Sequence, residues 1–299
     1  MDPIFKIINL KKYFPVTKGL FRKQIGFVKA LDNISFSVDK GEVLGIVGES
    51  GSGKTTLARI LLRLISPSGG KVEFEGSDLF NLNKKELMNF RKRVQIVFQD
   101  PHTSLNPRLS IASTVGEGLI IHKLAKNKKD RKNRIAELLN SVGLKPDYMN
   151  RYPHEFSGGQ RQRIGIARAL SVNPEVIIAD EPVSSLDVSV QAQILNLFVD
   201  LQEKFNLTYI FIAHDLRVVE HISTRIIVMY MGKIVETALK DELYKNPIHP
   251  YTKLLLNSIP NLDPDKRGFS GHPSLLSLPI EKEHVLKEVA PQHLVAFPI

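Results

Sequence analysis

Five short apolar segments in the middle of the chain predict the core of the fold. They are Val43–Val47, 94–98, 176–179, 209–213 and Arg225–Tyr230, and all are rich in valine and isoleucine. Most are apolar at consecutive positions, which is typical of strands that are buried on both faces. We therefore expect an α/β fold built on a mostly parallel sheet that is covered by helices.

Other stretches have a different pattern. Residues 28–38 and 70–75 alternate between apolar and polar positions, as antiparallel strands with one solvated face do. Residues 100–173 are polar, favour helix and contain almost no strand signal, so they predict a helical insertion in the core. From about residue 240, prolines disfavour long helices and central strands. These prolines are Pro247, Pro250, Pro260, Pro264, Pro273, Pro279, Pro291 and Pro298. We expect a tail or small second unit there, and not a continuation of the sheet.

Composition narrows the class of protein. A chain of 299 residues that is 42% hydrophobic can form one large α/β domain with an appendage. It contains no cysteine, which excludes disulfides, thiolate metal sites and cysteine nucleophiles. Its uncharged runs are too short to cross a membrane, and its first ten residues have no secretory signal. We expect synthesis and residence in the cytosol.

The formal net charge of +10 is compatible with a nucleic acid, an anionic lipid surface or a phosphate ligand. Much of this charge lies in residues 123–134, which contain no aromatic side chain that could stack on bases. The segment therefore favours a solvated helix face near a membrane or a partner over a nucleic-acid patch.

A phosphate-binding loop is predicted directly after Val43–Val47. The chain continues as Gly48-Glu49-Ser50-Gly51-Ser52-Gly53-Lys54-Thr55, and a helical run follows from Thr56. Strand, glycine loop and helix in this order are the context of a P-loop, whose backbone N–H groups surround phosphates. Lys54 would hold the β and γ phosphates, and the Thr55 hydroxyl would ligate Mg²⁺. A flexible glycine-serine turn is the alternative, which the flanking strand and helix disfavour.

Two adjacent acids follow the apolar segment 176–179. Asp180 and Glu181 would lie at the carboxyl edge of a buried parallel strand, where open α/β sheets bind their ligands. Asp180 fits the Mg²⁺ shell, and Glu181 could polarise the water that attacks the γ phosphate. Structural acids are common at strand ends, so this interpretation depends on the P-loop.

A second glycine-containing segment reads Phe156-Ser157-Gly158-Gly159-Gln160-Arg161-Gln162-Arg163. It opens a helical run whose free N-terminal amides could bind phosphate. The segment resembles the signature motif of ATP-binding cassette (ABC) proteins, with Phe156 where leucine is more usual. In that family the signature of one subunit closes over the P-loop nucleotide of another, so the resemblance implies a head-to-tail dimer that sandwiches ATP.

Further landmarks of that family follow in order along the chain. Gln99 resembles the Q-loop glutamine, Ser185-Leu186-Asp187 resembles the D-loop at the dimer seam, and His214 resembles the switch histidine. An aromatic side chain before the P-loop should stack on adenine. Tyr13 and Phe14 both qualify, and the motif register favours Phe14, while a core or edge-strand aromatic is the alternative for each.

The motifs and the resemblance together predict the site residues. The predicted catalytic residues are Lys54, Gln99, Glu181 and His214, and the predicted metal ligands are Thr55, Gln99 and Asp180. The predicted nucleotide-binding residues are Tyr13, Phe14, Gly48, Glu49, Ser50, Gly51, Ser52, Gly53, Lys54, Thr55, Thr56, Ser157, Gly158, Gly159, Gln160 and Asp187.

The resemblance extends to one subgroup of the family. Residues 246–255, which include His249-Pro250-Tyr251-Thr252, are similar to the C-terminal signature of ATPases that power importers of dipeptides, oligopeptides, nickel and glutathione. The insertion 18–27 also fits that subgroup. Its members often bind an iron-sulfur cluster through cysteines in this region. Because this chain has none, we expect no such cluster, and the ending, residues 271–299, resembles a shortened version.

The resemblance implies a P-loop (RecA-like) core with an antiparallel N-terminal β subdomain, a helical insertion and a short C-terminal extension. We expect a nucleotide-binding domain at 1–245, with its helical subdomain at 100–173, and an importer-type extension at 246–299. The implied function is hydrolysis of ATP with Mg²⁺ to power import of dipeptides, oligopeptides or a related solute.

The resemblance also implies the partners and location. They are a second cassette, a related chain rather than an identical one, membrane permease subunits and, indirectly, an extracytoplasmic solute-binding protein. The chain would lie at the cytoplasmic face of the membrane, without nucleic acid. Two alternatives remain: a soluble ABC-type ATPase acting on nucleic acid or in cofactor assembly, and an inactive binding module, which the intact Lys54 and Glu181 disfavour.

Overall fold

The computed structural model describes residues 2–18, 23–257 and 284–298. Its strands, in chain order, are β1 (Phe5–Lys18), β2 (Lys23–Val38), β3 (Val43–Val47), β4 (Gly69–Phe74), β5 (Ser77–Asp78), β6 (Val94–Val97), β7 (Val176–Asp180), β8 (Thr208–Ala213), β9 (Arg225–Tyr230), β10 (Lys233–Leu239), β11 (His284–Ala290) and β12 (His293–Pro298). Its helices are α1 (Lys54–Leu61), α2 (Lys84–Arg93), α3 (Pro101–Ser104), α4 (Ile111–Ile121), α5 (Lys128–Ser141), α6 (Gly158–Leu170), α7 (Val188–Phe205), α8 (Leu216–Ile222), α9 (Lys240–Lys245) and α10 (Pro250–Asn257).

The larger of the two sheets that the described residues form confirms the predicted parallel core. Its strand order is β11-β12-β10-β9-β3-β8-β7-β6, and β6, β7, β8, β3 and β9 run parallel. All five predicted core strands are present, within about one residue of their expected ends. The remaining three strands, β10, β12 and β11, are antiparallel and extend one edge.

The parallel strands are buried on both faces, which explains their continuous apolar sequence. In β3, Val43 and Val47 lie in one hydrophobic cluster with α6, α7 and α8, whereas Leu44 and Ile46 lie in a second cluster with α1 and α2. This alternation follows from the two-residue period of a strand. The large sheet is therefore enclosed between two hydrophobic clusters, and the ends of its strands lead into the surrounding loops.

The smaller sheet confirms the expected antiparallel subdomain at the beginning of the chain. Its order is β2-β1-β4-β5, and it packs through β1, β2 and β4 on the cluster that contains α1 and α2. The predicted strands 28–38 and 70–75 lie in β2 and β4. The pattern did not predict β1, because several register shifts against β2 interrupt its alternation.

The insertion between β6 and β7 is helical, as predicted. It contains α3 to α6 and two 3₁₀ turns, Pro146–Asn150 and Pro153–Glu155. The basic residues at the start of α5 lie mainly on its exposed face. Among the residues with described positions, no helix is both long enough and apolar enough to cross a membrane.

The expectation that the last part of the chain does not continue the sheet is wrong. The hairpin of β11 and β12 joins the large sheet, where β12 pairs with β10 through Glu236–Val295 and Thr237–Leu294. Prolines do not prevent this pairing, because Pro291 lies in the hairpin turn and Pro298 ends β12. Proline lacks the N–H donor of a strand, so it is tolerated in a turn and at the end of a strand.

Candidate nucleotide site

The predicted P-loop connects β3 to α1, and at Gly48 and Gly53 it is packed too closely for any side chain. A Cβ atom added to Gly48 would lie 2.1 Å from the carbonyl oxygen of Met229 at the end of β9. At Gly53 the backbone φ is +104°, and an added Cβ would lie 2.3 Å from the Ala30 carbonyl oxygen. These glycines therefore let the loop fold tightly against the sheet and β2.

Lys54 is folded back into this loop. It is 4% exposed, and its Nζ donates to Gly48 O at 2.6 Å, to Glu49 O at 2.9 Å and to Ser52 Oγ at 3.3 Å. Burial lowers the pKa of the ammonium, against the raising effect of Glu181 and Asp180. A desolvated cation held by two carbonyl oxygens and a hydroxyl is suited to binding an anion such as phosphate, which would stabilise its charge.

Thr55 and Asp180 face each other across the site. Thr55 Oγ1 donates to Asp180 Oδ1 at 3.3 Å. Burial and the neighbouring Glu181 raise the pKa of the Asp180 carboxyl, although Thr55 and Lys54 oppose this effect. A hydroxyl and a desolvated carboxylate are oxygen donors of the kind that Mg²⁺ prefers. The donor set therefore fits the predicted metal.

Glu181, the residue after Asp180, is in contact with two other predicted site residues, Gln99 and His214. Glu181 Oε2 accepts a hydrogen bond from Gln99 Nε2 at 3.3 Å and lies 3.0 Å from His214 Nδ1. Glu181 has φ +48°, a left-handed conformation that is uncommon for a residue with a side chain. Its backbone N–H donates to Ile212 O at 2.9 Å, which holds this conformation next to β8. The structure thus brings together the predicted base, Q-loop glutamine and switch histidine.

An open cleft of about 880 Å³ joins these groups. Its lining consists of Phe14, Val28, Lys29, Ala30, Glu49, Ser50, Gly51, Gly53, Lys54, Thr55, Thr56, Gln99, Glu181, His214, Met231 and Leu255. Sequence reasoning missed five of them, because none belongs to a phosphate or metal motif: Val28, Lys29, Ala30, Met231 and Leu255. Their positions come from β2, the β9–β10 turn and α10.

The two candidate aromatics are placed differently. Phe14 lines the cleft and is 40% exposed. The Tyr13 hydroxyl instead donates to Asp32 Oδ1, and this bond raises the pKa of Tyr13 to about 12. Tyr13 is not among the described residues that line the cleft. The geometry thus agrees with the register argument for Phe14.

The signature residues begin α6 and lie outside the lining of the cleft. Ser157 accepts from the Gln160 N–H, and the Gln160 side chain accepts from the Ser157 N–H. An added Cβ on Gly159 would lie 2.4 Å from Val190 Cγ1. Ser157 is exposed, and so is Asp187, which precedes α7 and makes no side-chain cap to it. The signature and the D-loop, which are both predicted to lie at a dimer interface, thus reach the surface.

Comparison with protein families agrees with these motifs. The ABC transporter family matches residues 31–184, and the family described as the oligopeptide/dipeptide transporter C-terminal region matches residues 235–281. The chain is 52% identical over 299 residues to the oligopeptide transport ATP-binding protein OppF of Bacillus subtilis, covering 98% of this chain and 96% of that protein.

Two further relatives are similarly close. The oligopeptide transport ATP-binding protein AppF of Bacillus subtilis is 56% identical over 260 residues, covering 87% of this chain and 79% of AppF. The dipeptide transport ATP-binding protein DppF of Escherichia coli is 49% identical over 266 residues, covering 89% of this chain and 79% of DppF.

The fold is also similar to solved structures. One is a dimeric structure of the ATP-binding cassette MJ0796 in a post-hydrolysis state, bound to ADP and Pi. It is 31% identical, covers 79% of this chain and 98% of its own, and has a TM-score of 0.69. The chain therefore belongs to the ABC transporter family and is one of its ATPases.

Proposed function

We propose that this chain hydrolyses ATP to power the import of dipeptides or oligopeptides across a membrane. The observation that carries this proposal is the convergence of Lys54, Thr55, Glu181 and His214 on one cleft, with Asp180 bonded to Thr55 beside it. The similarity to peptide-transport ATP-binding proteins over nearly the whole chain supports the solute class. In this proposal residues 1–245, with the helical subdomain 100–173, form the nucleotide-binding domain, and residues 246–299 form an importer-type extension.

Binding of ATP uses the P-loop and the residues near it. Lys54 and the loop amides hold the β and γ phosphates, and the exposed Phe14 ring stacks on adenine. Thr55, Asp180 and Gln99 would hold Mg²⁺, which would neutralise the charge that develops on the phosphate oxygens.

Hydrolysis uses the Glu181 carboxylate. Glu181 Oε2 accepts a proton from a water whose oxygen bonds to the γ phosphorus, while the bond between that phosphorus and the β–γ bridging oxygen breaks. ADP and phosphate result. Gln99 and His214, both in contact with Glu181 Oε2, orient this carboxylate, and His214 also contacts the γ phosphate.

We further propose that each site is completed by a second cassette. Ser157, Gly158 and Gly159 reach the surface but do not line the cleft of their own chain, so they are available to the nucleotide of a neighbour. The second cassette is a related chain rather than an identical copy. The pair works at the cytoplasmic face of the membrane on permease subunits, which receive solute from an extracytoplasmic binding protein.

Replacement of Glu181 by Gln tests the catalytic proposal. The substitution keeps the volume of the side chain but removes the proton acceptor, so phosphate release should fall by roughly 10² to 10⁴-fold. The rate is measured on the membrane complex that co-purifies with a tagged copy of the full chain. Glu203→Gln, on the exposed face of α7, is the matched control and should hydrolyse at the wild-type rate. A Glu181→Gln rate within twofold of wild type would contradict the assignment of the base.

The solute class is tested in cells. Deletion of the gene should abolish uptake of a labelled tripeptide, and wild type but not Glu181→Gln should restore it. Unchanged tripeptide uptake after deletion would contradict the peptide assignment while leaving the ATPase activity intact.

A further inference from the structure

Helix α10 lies directly against the P-loop. Tyr251, near the start of this helix, is completely buried, and its hydroxyl accepts a hydrogen bond from the Glu49 N–H at 3.0 Å. Leu255, about one turn further along the helix, lines the nucleotide cleft. The motif at 246–255, which the proposed chemistry leaves without a role, therefore supplies two contacts to the site.

The hydrogen bond from Glu49 acts on the same peptide unit that holds Lys54. The Glu49 N–H and the Gly48 carbonyl belong to one planar peptide group. Tyr251 binds the N–H end of that group, and Lys54 Nζ binds the carbonyl end at 2.6 Å. Rotation of the peptide plane would break both bonds, so the tyrosine hydroxyl limits where the Lys54 ammonium can lie.

The Tyr251 hydroxyl is itself held in a fixed position. Its ring packs on Tyr230, at the end of β9, with centroids 4.3 Å apart. The completely buried Glu236 carboxylate of β10 accepts from the N–H groups of Ile248 and His249, just before α10, at 2.8 and 3.0 Å. His293 Nε2, on β12, lies 2.8 Å from the same carboxylate. The large sheet therefore determines the position of α10 relative to the P-loop.

We propose that Tyr251 is a positioning residue for nucleotide binding, and that its hydroxyl keeps the Gly48–Glu49 peptide oriented so that Lys54 meets the phosphates. This inference rests on the proposed function, because ATP and ADP are its ligands. It gives the C-terminal motif a role at the ATP site in addition to any contact with transporter partners.

Tyr251→Phe tests the inference, because it removes one oxygen atom and retains the packing on Tyr230. Isothermal titration of the full-length chain with ADP and Mg²⁺ measures binding without a requirement for the second cassette. A neutral hydrogen bond contributes about 0.5–1.5 kcal/mol, so ADP affinity should fall about twofold to twelvefold. In the membrane complex, KM for ATP should rise by a similar factor while kcat stays within twofold, as expected when a contact is made in ground and transition states alike.

A purely structural role for Tyr251 gives a different result. It would lower the amount of active protein and hence the apparent kcat, with KM and the ADP affinity unchanged, and that pattern would overturn the proposal. Tyr209→Phe is the matched control. Tyr209 is completely buried, and its hydroxyl has no hydrogen-bond partner among the described residues, so this variant should bind ADP like wild type.

Two other results distinguish this inference from the proposed function. If the wild-type chain binds no ADP, the nucleotide site is itself wrong and this inference fails with it. If wild type and Tyr251→Phe bind ADP equally, only the inference fails. Hydrogen exchange of the wild-type chain gives a check without a variant: the Glu49 amide should exchange slowly, and exchange as fast as in an unprotected loop would also overturn the proposal.

Discussion

Removal of the Glu236 carboxylate should destabilise the C-terminal part of the molecule strongly. Three donors share this completely buried group: the N–H groups of Ile248 and His249 and the His293 ring. The substitution Glu236→Ala leaves all three without their acceptor. Each lost bond to a charged group costs about 1.5–3 kcal/mol, but contacts that share one carboxylate are not additive. The sum of three such bonds is therefore an upper bound, and we expect a loss of about 4 kcal/mol here.

Urea denaturation followed by circular dichroism measures this effect. The free energy of unfolding of Glu236→Ala should fall by about 4 kcal/mol, a large part of the stability of an ordinary domain. Glu288→Ala is the matched control, because Glu288 is an exposed carboxylate in the β11–β12 hairpin that accepts one backbone N–H, from Gln292 at 3.0 Å. It should change the stability by less than about 1 kcal/mol. A loss below about 1 kcal/mol for Glu236→Ala would refute the argument that this carboxylate holds α10 and β12 to the sheet.

Two other predictions concern acid stability and the P-loop. Arg93 binds both carboxylate oxygens of Glu175 and holds the pKa of this residue at about 2, below its ordinary 4.5. The resulting stabilisation, about 1 kcal/mol for a partly exposed pair, is present above pH 4.5 and disappears as the pH falls toward 2. Glu175→Gln should therefore lose less stability than wild type over that interval in denaturation curves. An equal loss in both proteins would argue against the ion pair. Gly53→Ala places a methyl group against Ala30 O at positive φ and should weaken ADP binding at least tenfold in calorimetric titration. Gly51 also has positive φ but has open space beyond it, so Gly51→Ala should weaken ADP binding less, and equal losses would count against the steric explanation.

Local motifs predicted which residues form the site better than they predicted the backbone conformations and contacts that position them. The P-loop was recognisable because strand, glycine loop and helix are consecutive in the chain, and Asp180 and Glu181 because they follow a buried apolar strand. The left-handed conformation of Glu181 was not predictable from composition. It depends on a hydrogen bond to Ile212, which belongs to the neighbouring strand β8.

The structure of the C-terminal part was likewise not predictable from local patterns in the sequence. Counting prolines over the whole segment concealed the interval between Pro279 and Pro291, in which β11 forms. The pairing of β12 with β10, and the contact of Tyr251 with Glu49, join residues that are far apart in the chain. Only the folded sheet brings such residues together.

The sequence alone thus determined the class of fold, the parallel core and the phosphate-binding loop, because these depend on hydrophobic period and on residues that are neighbours in the chain. The tertiary structure decided which side chains surround the cleft, which aromatic reaches it and how the C-terminal helix holds the P-loop. Those features depend on the packing of distant segments, where a difference of an ångström determines whether a hydrogen bond forms.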